Sequence, residues 1–313
     1  MSALPWYDAQ RVFAAVGFGS AINALQAALA DGLDPAADPA RASVPLERGE
    51  FLLMPSQGAG FAGVKVLTVA PANPDRGLPR IQGVYLLCDA ETLTPRALLD
   101  GTALTTLRTP ALSALAARFL APPDPARVVV VGSGPQAWGH VHALSAVRDL
   151  DDVVITGRSA PNAHRLADRL SAEGFPARAG DASAVADATI VVCATTAAVP
   201  VIDGSGVADD ALVIAVGSHE PDRRELDGSL LGRSQVVVED RATALREAGD
   251  VIVAIEEGRI DAASLTPLAQ VVRGEASVDR TRPRVFKSVG MAWQDLVVAA
   301  ACVNAPTGGS GAH

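Results

Sequence analysis

A chain of 313 residues, 49% hydrophobic and 19% charged, is long enough for two domains and apolar enough to bury a sizeable core. Its net charge of −9 excludes a basic nucleic-acid-binding face, and no run of about 18 apolar residues is present to span a bilayer. Three scattered cysteines, Cys88, Cys193 and Cys302, have no CxxC or histidine spacing, so they are expected as buried apolar side chains and not as a metal site.

The N-terminus, MSALPWYDAQRVF, carries Asp8 and Arg11 where a secretory signal needs an uninterrupted apolar core, and a cytoplasmic protein is expected. Residues 6–30 show helical spacing interrupted at Gly17–Ser20, which predicts two short helices. DGLDPAADPARA is a polar connection. From Val44 to Ala90 the runs FLLMP, GVKVLTVA and GVYLLCD, separated by SQGAG and ANPDRG, predict a mostly antiparallel sheet. A helix is expected over Thr105–Leu120, followed by the linker APPDPA and a domain boundary near 120.

Beyond that linker the pattern alternates. ARVVVVGSG, DVVITG, TIVVCATT, ALVIAVGS and QVVVED read as buried strands, with helices over PQAWGHVHALSAV and over SAPNAHRLADRLSAEG, the latter capped by Ser159. Continuously apolar strands alternating with helices indicate a parallel sheet covered on both faces. FKSVGMAWQDLVVAAACV is expected as a final helix and PTGGSGAH as a disordered tail.

VVVVGSGPQA holds the chemistry most directly legible. Gly132, Gly134 and Ala137 form a G-x-G-x-x-A fingerprint at a strand-to-helix turn, with Pro135 and Gln136 inside it. Phosphate there meets free amide N–H groups and the positive end of a helix dipole. The second strand ends in Gly157, Arg158 and Ser159, where NAD sites usually place a carboxylate. A guanidinium and a hydroxyl suit a 2′-phosphate, so NADPH is the preferred cofactor and NAD(H) the alternative. Ala194, Thr195 and Thr196, and Val216, Gly217 and Ser218, follow later strands at the carboxyl edge where a dinucleotide lies.

Lys65 and Lys287 are the only lysines among 26 basic side chains, which points to a specific need for an ammonium at those positions. GVK, DGTALTTLRTPALSALAARFLA, VVVGSGPQA, GSHEPDRREL and VFKSVGMAWQDL, taken in order, resemble the ornithine cyclodeaminase and mu-crystallin family along nearly the whole chain. The resemblance implies an α/β protein. A Rossmann-type parallel-sheet domain, 121–290, would sit within a discontinuous α+β dimerisation and substrate domain, 1–120 and 291–313, completed by the C-terminal helix. It also implies a homodimer acting on a small α-imino or α-amino carboxylate. Arg41 resembles the family arginine that holds the substrate carboxylate, and Lys65 the active-site lysine. Arg108 resembles the second carboxylate arginine, on the cofactor side with Thr109. The backbone of Ser288, Val289 and Gly290 would line the nicotinamide pocket, with Lys287 a supporting cation.

One departure bears on the reaction. Cyclodeaminases carry an aspartate two residues before the proline of this turn, and here His219 stands before Pro221. An imidazole can act as general acid or base near neutrality but cannot pair as an anion with a diamine. Reduction of a cyclic ketimine, pyrroline-2-carboxylate or piperideine-2-carboxylate, is therefore preferred. Ornithine cyclodeamination, an alanine-type dehydrogenase and a mu-crystallin-like NADPH and small-ligand binding protein are the alternatives. His140 and His142 are expected to be structural, and Asp89, Asp100 and Asp295 to be caps or sheet-edge acids.

Overall fold

The computed structural model describes residues 3–123 and 125–305, and the expected disordered tail lies outside them. In chain order the first elements are β1 (Trp6–Tyr7), α1 (Ala9–Ala15), α2 (Phe18–Ala30), β2 (Ala42–Leu46), β3 (Gly49–Gly58), β4 (Phe61–Val69), β5 (Ile81–Asp89), β6 (Pro95–Asp100) and α3 (Gly101–Leu120). Next come β7 (Ala126–Val131), α4 (Pro135–Ser145), β8 (Leu150–Thr156), α5 (Ala160–Ala172), β9 (Ala177–Ala179), β10 (Ile190–Cys193), β11 (Leu212–Ala215), α6 (Gly228–Arg233) and β12 (Gln235–Val238). The last are α7 (Arg241–Glu247), α8 (Gly249–Glu256), β13 (Thr266–Pro267), α9 (Leu268–Val272), β14 (Arg284–Lys287) and α10 (Ala292–Asn304).

The chain divides into two compact units, residues up to Arg108 together with those from Met291 on, and Thr109–Gly290. The division falls inside α3 and not at the APPDPA linker. The second half of α3 is held within the larger unit: Ser113 bonds His140 at 2.9 Å, and the Ala117 and Leu120 carbonyls accept from Arg148 and Arg284 at 2.8 and 2.9 Å.

In the first unit six strands are ordered β1-β6-β5-β4-β3-β2, antiparallel except for the β1–β6 pair. Period-two alternation sorts the strands cleanly. Met54, Lys65, Tyr85 and Leu99 are register partners on successive strands and are all buried, on the face covered by α10. Two caps start their helices as side-chain chemistry predicts. Asp8 accepts from the Arg11 amide at 2.8 Å, and Asp100 from the Thr102 and Ala103 amides at 2.9 Å each.

The second unit is an eight-stranded, wholly parallel sheet ordered β13-β12-β14-β11-β10-β7-β8-β9. One face of its core is built from Val129, Val131, Val191, Val213, Val236 and Val285. RVFK corrects the sequence expectation: Phe286 and Lys287 end an interior strand, β14, and the helix begins only at Ala292. The apolar helical run downstream concealed that strand. Cys193 and Cys302 are buried as expected, whereas Cys88 is only half-buried, because the β5–β6 register slips at Leu87/Cys88 near the strand end. Among the described residues no single helix is long and apolar enough to cross a membrane.

Candidate active site

Lys65 is the centre of the first unit's polar chemistry. Its ammonium is fully buried, lies 2.7 Å from Asp295 Oδ2 and donates to Thr105 Oγ1 at 3.2 Å. Asp295 is also fully buried, and its other oxygen faces Arg108 Nε at 3.4 Å, an ion-pair distance at which neither atom completes a hydrogen bond. Arg108 Nη1 donates to Gln294 Oε1 at 2.7 Å. Each element supplies its residue for a local reason. The strand pleat turns Lys65 inward, the α3 repeat places Thr105 and Arg108 three apart on one face, and α10 contributes Gln294 and Asp295 from its first turn.

Burial lowers the Lys65 pKa to about 8, with the Asp295 carboxylate opposing that shift and the charges of Arg108 and Arg41 adding to it. An ammonium poised there gives up its proton readily near neutrality. Arg41 is half-buried and near enough to act on Lys65 through its field. Asp38 accepts from Ser56 Oγ at 2.7 Å and from the Trp293 amide at 2.6 Å, and burial raises its pKa. Lys65, Arg108 and Arg41 are thus gathered in one unit. Asp295, expected to be a cap, is instead the buried counter-ion of two of them.

In the second unit the glycine turn has the shape a dinucleotide requires. Gly132 takes φ +134°, and a Cβ on it would fall 2.4 Å from the Ala194 carbonyl oxygen, so only glycine fits. A Cβ on Gly134 would meet nothing within 4 Å, which leaves open space over the start of α4. Pro135 occupies the first turn of α4, no side chain caps that terminus, and Ala137 is buried where the helix meets the sheet. Arg158 is exposed beyond β8, and Ser159 stands at the α5 N-terminus without making a side-chain cap bond. These residues fit a nicotinamide dinucleotide, with anionic phosphate at an uncapped helix start.

Many of the other predicted cofactor residues turn their polar groups inward. Glu225 accepts from the Thr195 amide and hydroxyl and from the Gly217 amide, each at 2.7 Å. Glu239 accepts from Ser288 Oγ and from the Val289 and Gly290 amides at 2.9, 2.7 and 3.0 Å. Ser218 donates to the Arg223 carbonyl, and Lys287, fully buried, donates to the Ser218 carbonyl at 2.7 Å and pairs with Asp250 at 2.8 Å. Asp250 in turn accepts from the Glu225 and Leu226 amides at 2.7 and 2.8 Å. Three buried acids therefore clamp the loops after β10, β11 and β14, and Lys287 ties the Asp250 carboxylate to the loop after β11. Ala194 and Val216 are half-buried, Thr196 and His219 exposed, and Thr109 buried on α3.

His140 is structural as expected. It is fully buried between Gln136 and Ser113, and burial lowers its pKa to about 4. His142 pairs with Glu173 at 2.8 Å, and Asp89 serves its turn by accepting from Thr92 at 2.9 Å. Sequence reasoning missed Asp295, Gln294, Asp38, Glu225, Asp250 and Glu239. The one available signal was that a buried lysine requires a buried acid, which does not say which of 35 acids it is.

Comparison with known proteins agrees with this architecture. A curated Azospirillum brasilense protein named Delta(1)-pyrroline-2-carboxylate/Delta(1)-piperideine-2-carboxylate reductase is 35% identical over 305 residues, covering 96% of this chain and 95% of its own. The structure of the Thermococcus litoralis Delta(1)-pyrroline-2-carboxylate reductase in complex with NADH and L-proline superposes with a TM-score of 0.89 at 28% identity, covering 96% of each chain. An archaeal alanine dehydrogenase dimer with bound NAD gives 0.88 at 27% identity, covering 96% of this chain and 95% of that one. The family pattern itself extends over residues 9–307, and the chain belongs to the ornithine cyclodeaminase/mu-crystallin family.

Proposed function

We propose that the protein is a nicotinamide-dependent reductase of cyclic α-imino carboxylates, with pyrroline-2-carboxylate as the first substrate and piperideine-2-carboxylate as the second. The observation that carries this reading is the buried Lys65 ammonium, held by Asp295 at 2.7 Å with a pKa of about 8 beside Arg108. Reduction of an imine needs one proton on nitrogen and one hydride on carbon. NAD(P)H, when bound, supplies the hydride. Arg108 and Arg41 grip the substrate carboxylate and orient the ring, and Lys65 gives its proton to the ring nitrogen. Asp295 keeps Lys65 protonated at neutral pH despite burial, and leaves Arg108 paired once that proton has gone.

His219, in place of the cyclodeaminase aspartate, disfavours a diamine substrate, and an exposed imidazole there is suited to exchange protons with solvent. The exposed Arg158 and the half-buried, uncommitted hydroxyl of Ser159 favour NADPH over NADH. The sheet face opposite Lys65 carries Val44, Phe51 and Val84, which are 43%, 36% and 39% exposed, and a homodimer would cover them. The cysteines, none of which is paired, suit a reducing cytoplasm.

The test is the initial rate of NADPH and NADH oxidation with each ketimine, alongside ammonia release from ornithine with NAD and NADH formation from alanine with NAD. Ketimine-dependent oxidation without ammonia is expected. Ammonia from ornithine, or faster turnover of alanine, would replace this reading.

A further inference from the structure

Beside the Lys65–Asp295 pair the same sheet face carries a polar group that the protein itself leaves unused. Tyr85 lies opposite Lys65 in the β4–β5 register, is fully buried, and its hydroxyl has no hydrogen-bond partner. The hydroxyl reaches over Gly63, two residues along β4, where an added Cβ would lie only 2.3 Å away, so the glycine makes room for it. Gly63 pairs with Ser56 on β3, whose own hydroxyl donates to Asp38 at 2.7 Å.

The acids near this hydroxyl already have other partners. Asp38 takes the Ser56 hydroxyl and the Trp293 amide, and Asp295 faces Lys65 and Arg108. A buried hydroxyl without a partner is costly, and phenylalanine would fill the same space without that cost. A tyrosine here is therefore explained by a partner that arrives from outside. Burial and the Asp295 and Asp38 carboxylates push the phenol pKa well above 10, so it remains a neutral donor throughout the working pH range.

We propose that the Tyr85 hydroxyl is a substrate-binding group that donates a hydrogen bond to the carboxylate gripped by Arg108 and Arg41. This rests on the reading of the first unit as an α-imino carboxylate site. A carboxylate accepts about four hydrogen bonds; one bidentate guanidinium uses about two of them and a single bond from the second guanidinium a third, so a short neutral donor on a rigid strand completes the set. It also selects chemically. A carboxamide has one acceptor oxygen and presents N–H donors to a site already full of them.

Tyr85→Phe deletes one oxygen and keeps the ring. Calorimetric binding of pyrrole-2-carboxylate, a planar analogue that is not reduced, is compared between wild type and variant, together with the thermal midpoint of the ligand-free proteins. The expected result is a Kd about ten-fold higher, equivalent to about 1.4 kcal/mol, with a midpoint unchanged or raised because an unsatisfied buried group has gone. KM for pyrroline-2-carboxylate should rise in parallel with kcat held within about two-fold, the pattern of binding lost equally from ground and transition states. Equal affinity in the two proteins overturns the role of Tyr85 and leaves the reductase reading standing. A lower midpoint together with weaker binding marks a packing role and also overturns it. A wild-type protein that neither binds the analogue nor turns over a ketimine removes the reductase reading, and the role of Tyr85 with it.

Discussion

Asp295→Asn tests the centre of the site with almost no change in shape. In the wild type Lys65, with a pKa of about 8, is mostly protonated at pH 7, and the charged form is favoured by only about 1.4 kcal/mol for that one pH unit. Removing the carboxylate removes the main attraction holding the pKa up, so Lys65 falls below its present value and escapes the penalty of an unpaired buried charge by losing its proton. The lysine's share of the lost stability is thereby capped near about 1.4 kcal/mol, well under the ~3–5 kcal/mol for a buried ion that cannot neutralise. That share corresponds to a midpoint drop of roughly 3–6 °C. Arg108 cannot deprotonate, but it keeps Gln294 at 2.7 Å.

Function should suffer more than stability, because the proton donor is gone at neutral pH. The donating form is the ammonium, so activity is full below the Lys65 pKa and lost above it. The wild-type profile of kcat/KM for pyrroline-2-carboxylate should therefore bend downward near pH 8, and in Asp295→Asn the bend should move to lower pH. The assay is that profile between about pH 6 and 10, with Lys65→Met/Asp295→Asn completing a stability cycle in which the double variant recovers most of what either single change loses. A bend that stays near pH 8 in Asp295→Asn, or full activity of the variant at pH 7, would refute both the coupling and the role of Lys65 as acid.

Three other outcomes are expected. Gly134→Val places side-chain carbon in open space over the α4 terminus, so it should leave the thermal midpoint unchanged and weaken NADPH binding by at least about ten-fold in a fluorescence titration. Gly132→Ala, forced against the Ala194 carbonyl, should lower the midpoint itself; the reverse pattern would mean the turn is not a phosphate site. Arg158→Ala should cut the preference for NADPH over NADH by about ten-fold or more in kcat/KM, the worth of one charge-assisted bond to phosphate, and an unchanged ratio would place the 2′-phosphate elsewhere.

Much of this molecule follows from local rules. Alternation along GVKVLTVA puts Lys65 on one face of a sheet, the run ARVVVVGSGPQA makes a buried strand and a glycine turn, and the exposed cation after β8 is visible as the absence of an acid. These need only the period of a strand and the backbone freedom of glycine. RVFK was not legible, since four residues joined to an apolar helical run carry too little period to be separated from it, and only its place between β11 and β12 makes it a strand.

The partners of the charges lay further out of reach. Lys65 and Asp295 are separated by 230 positions, and nothing in WQDL distinguishes an acid that starts a helix from one that neutralises a buried lysine. The same holds for Glu225, Glu239 and Asp250, whose carboxylates tie together loops that are remote in sequence. Sequence alone determined which groups are present and which face of its own element each occupies. The tertiary structure decided which charges meet, because desolvation and Coulomb energy depend on distance and burial, and those exist only once the strands and helices have packed.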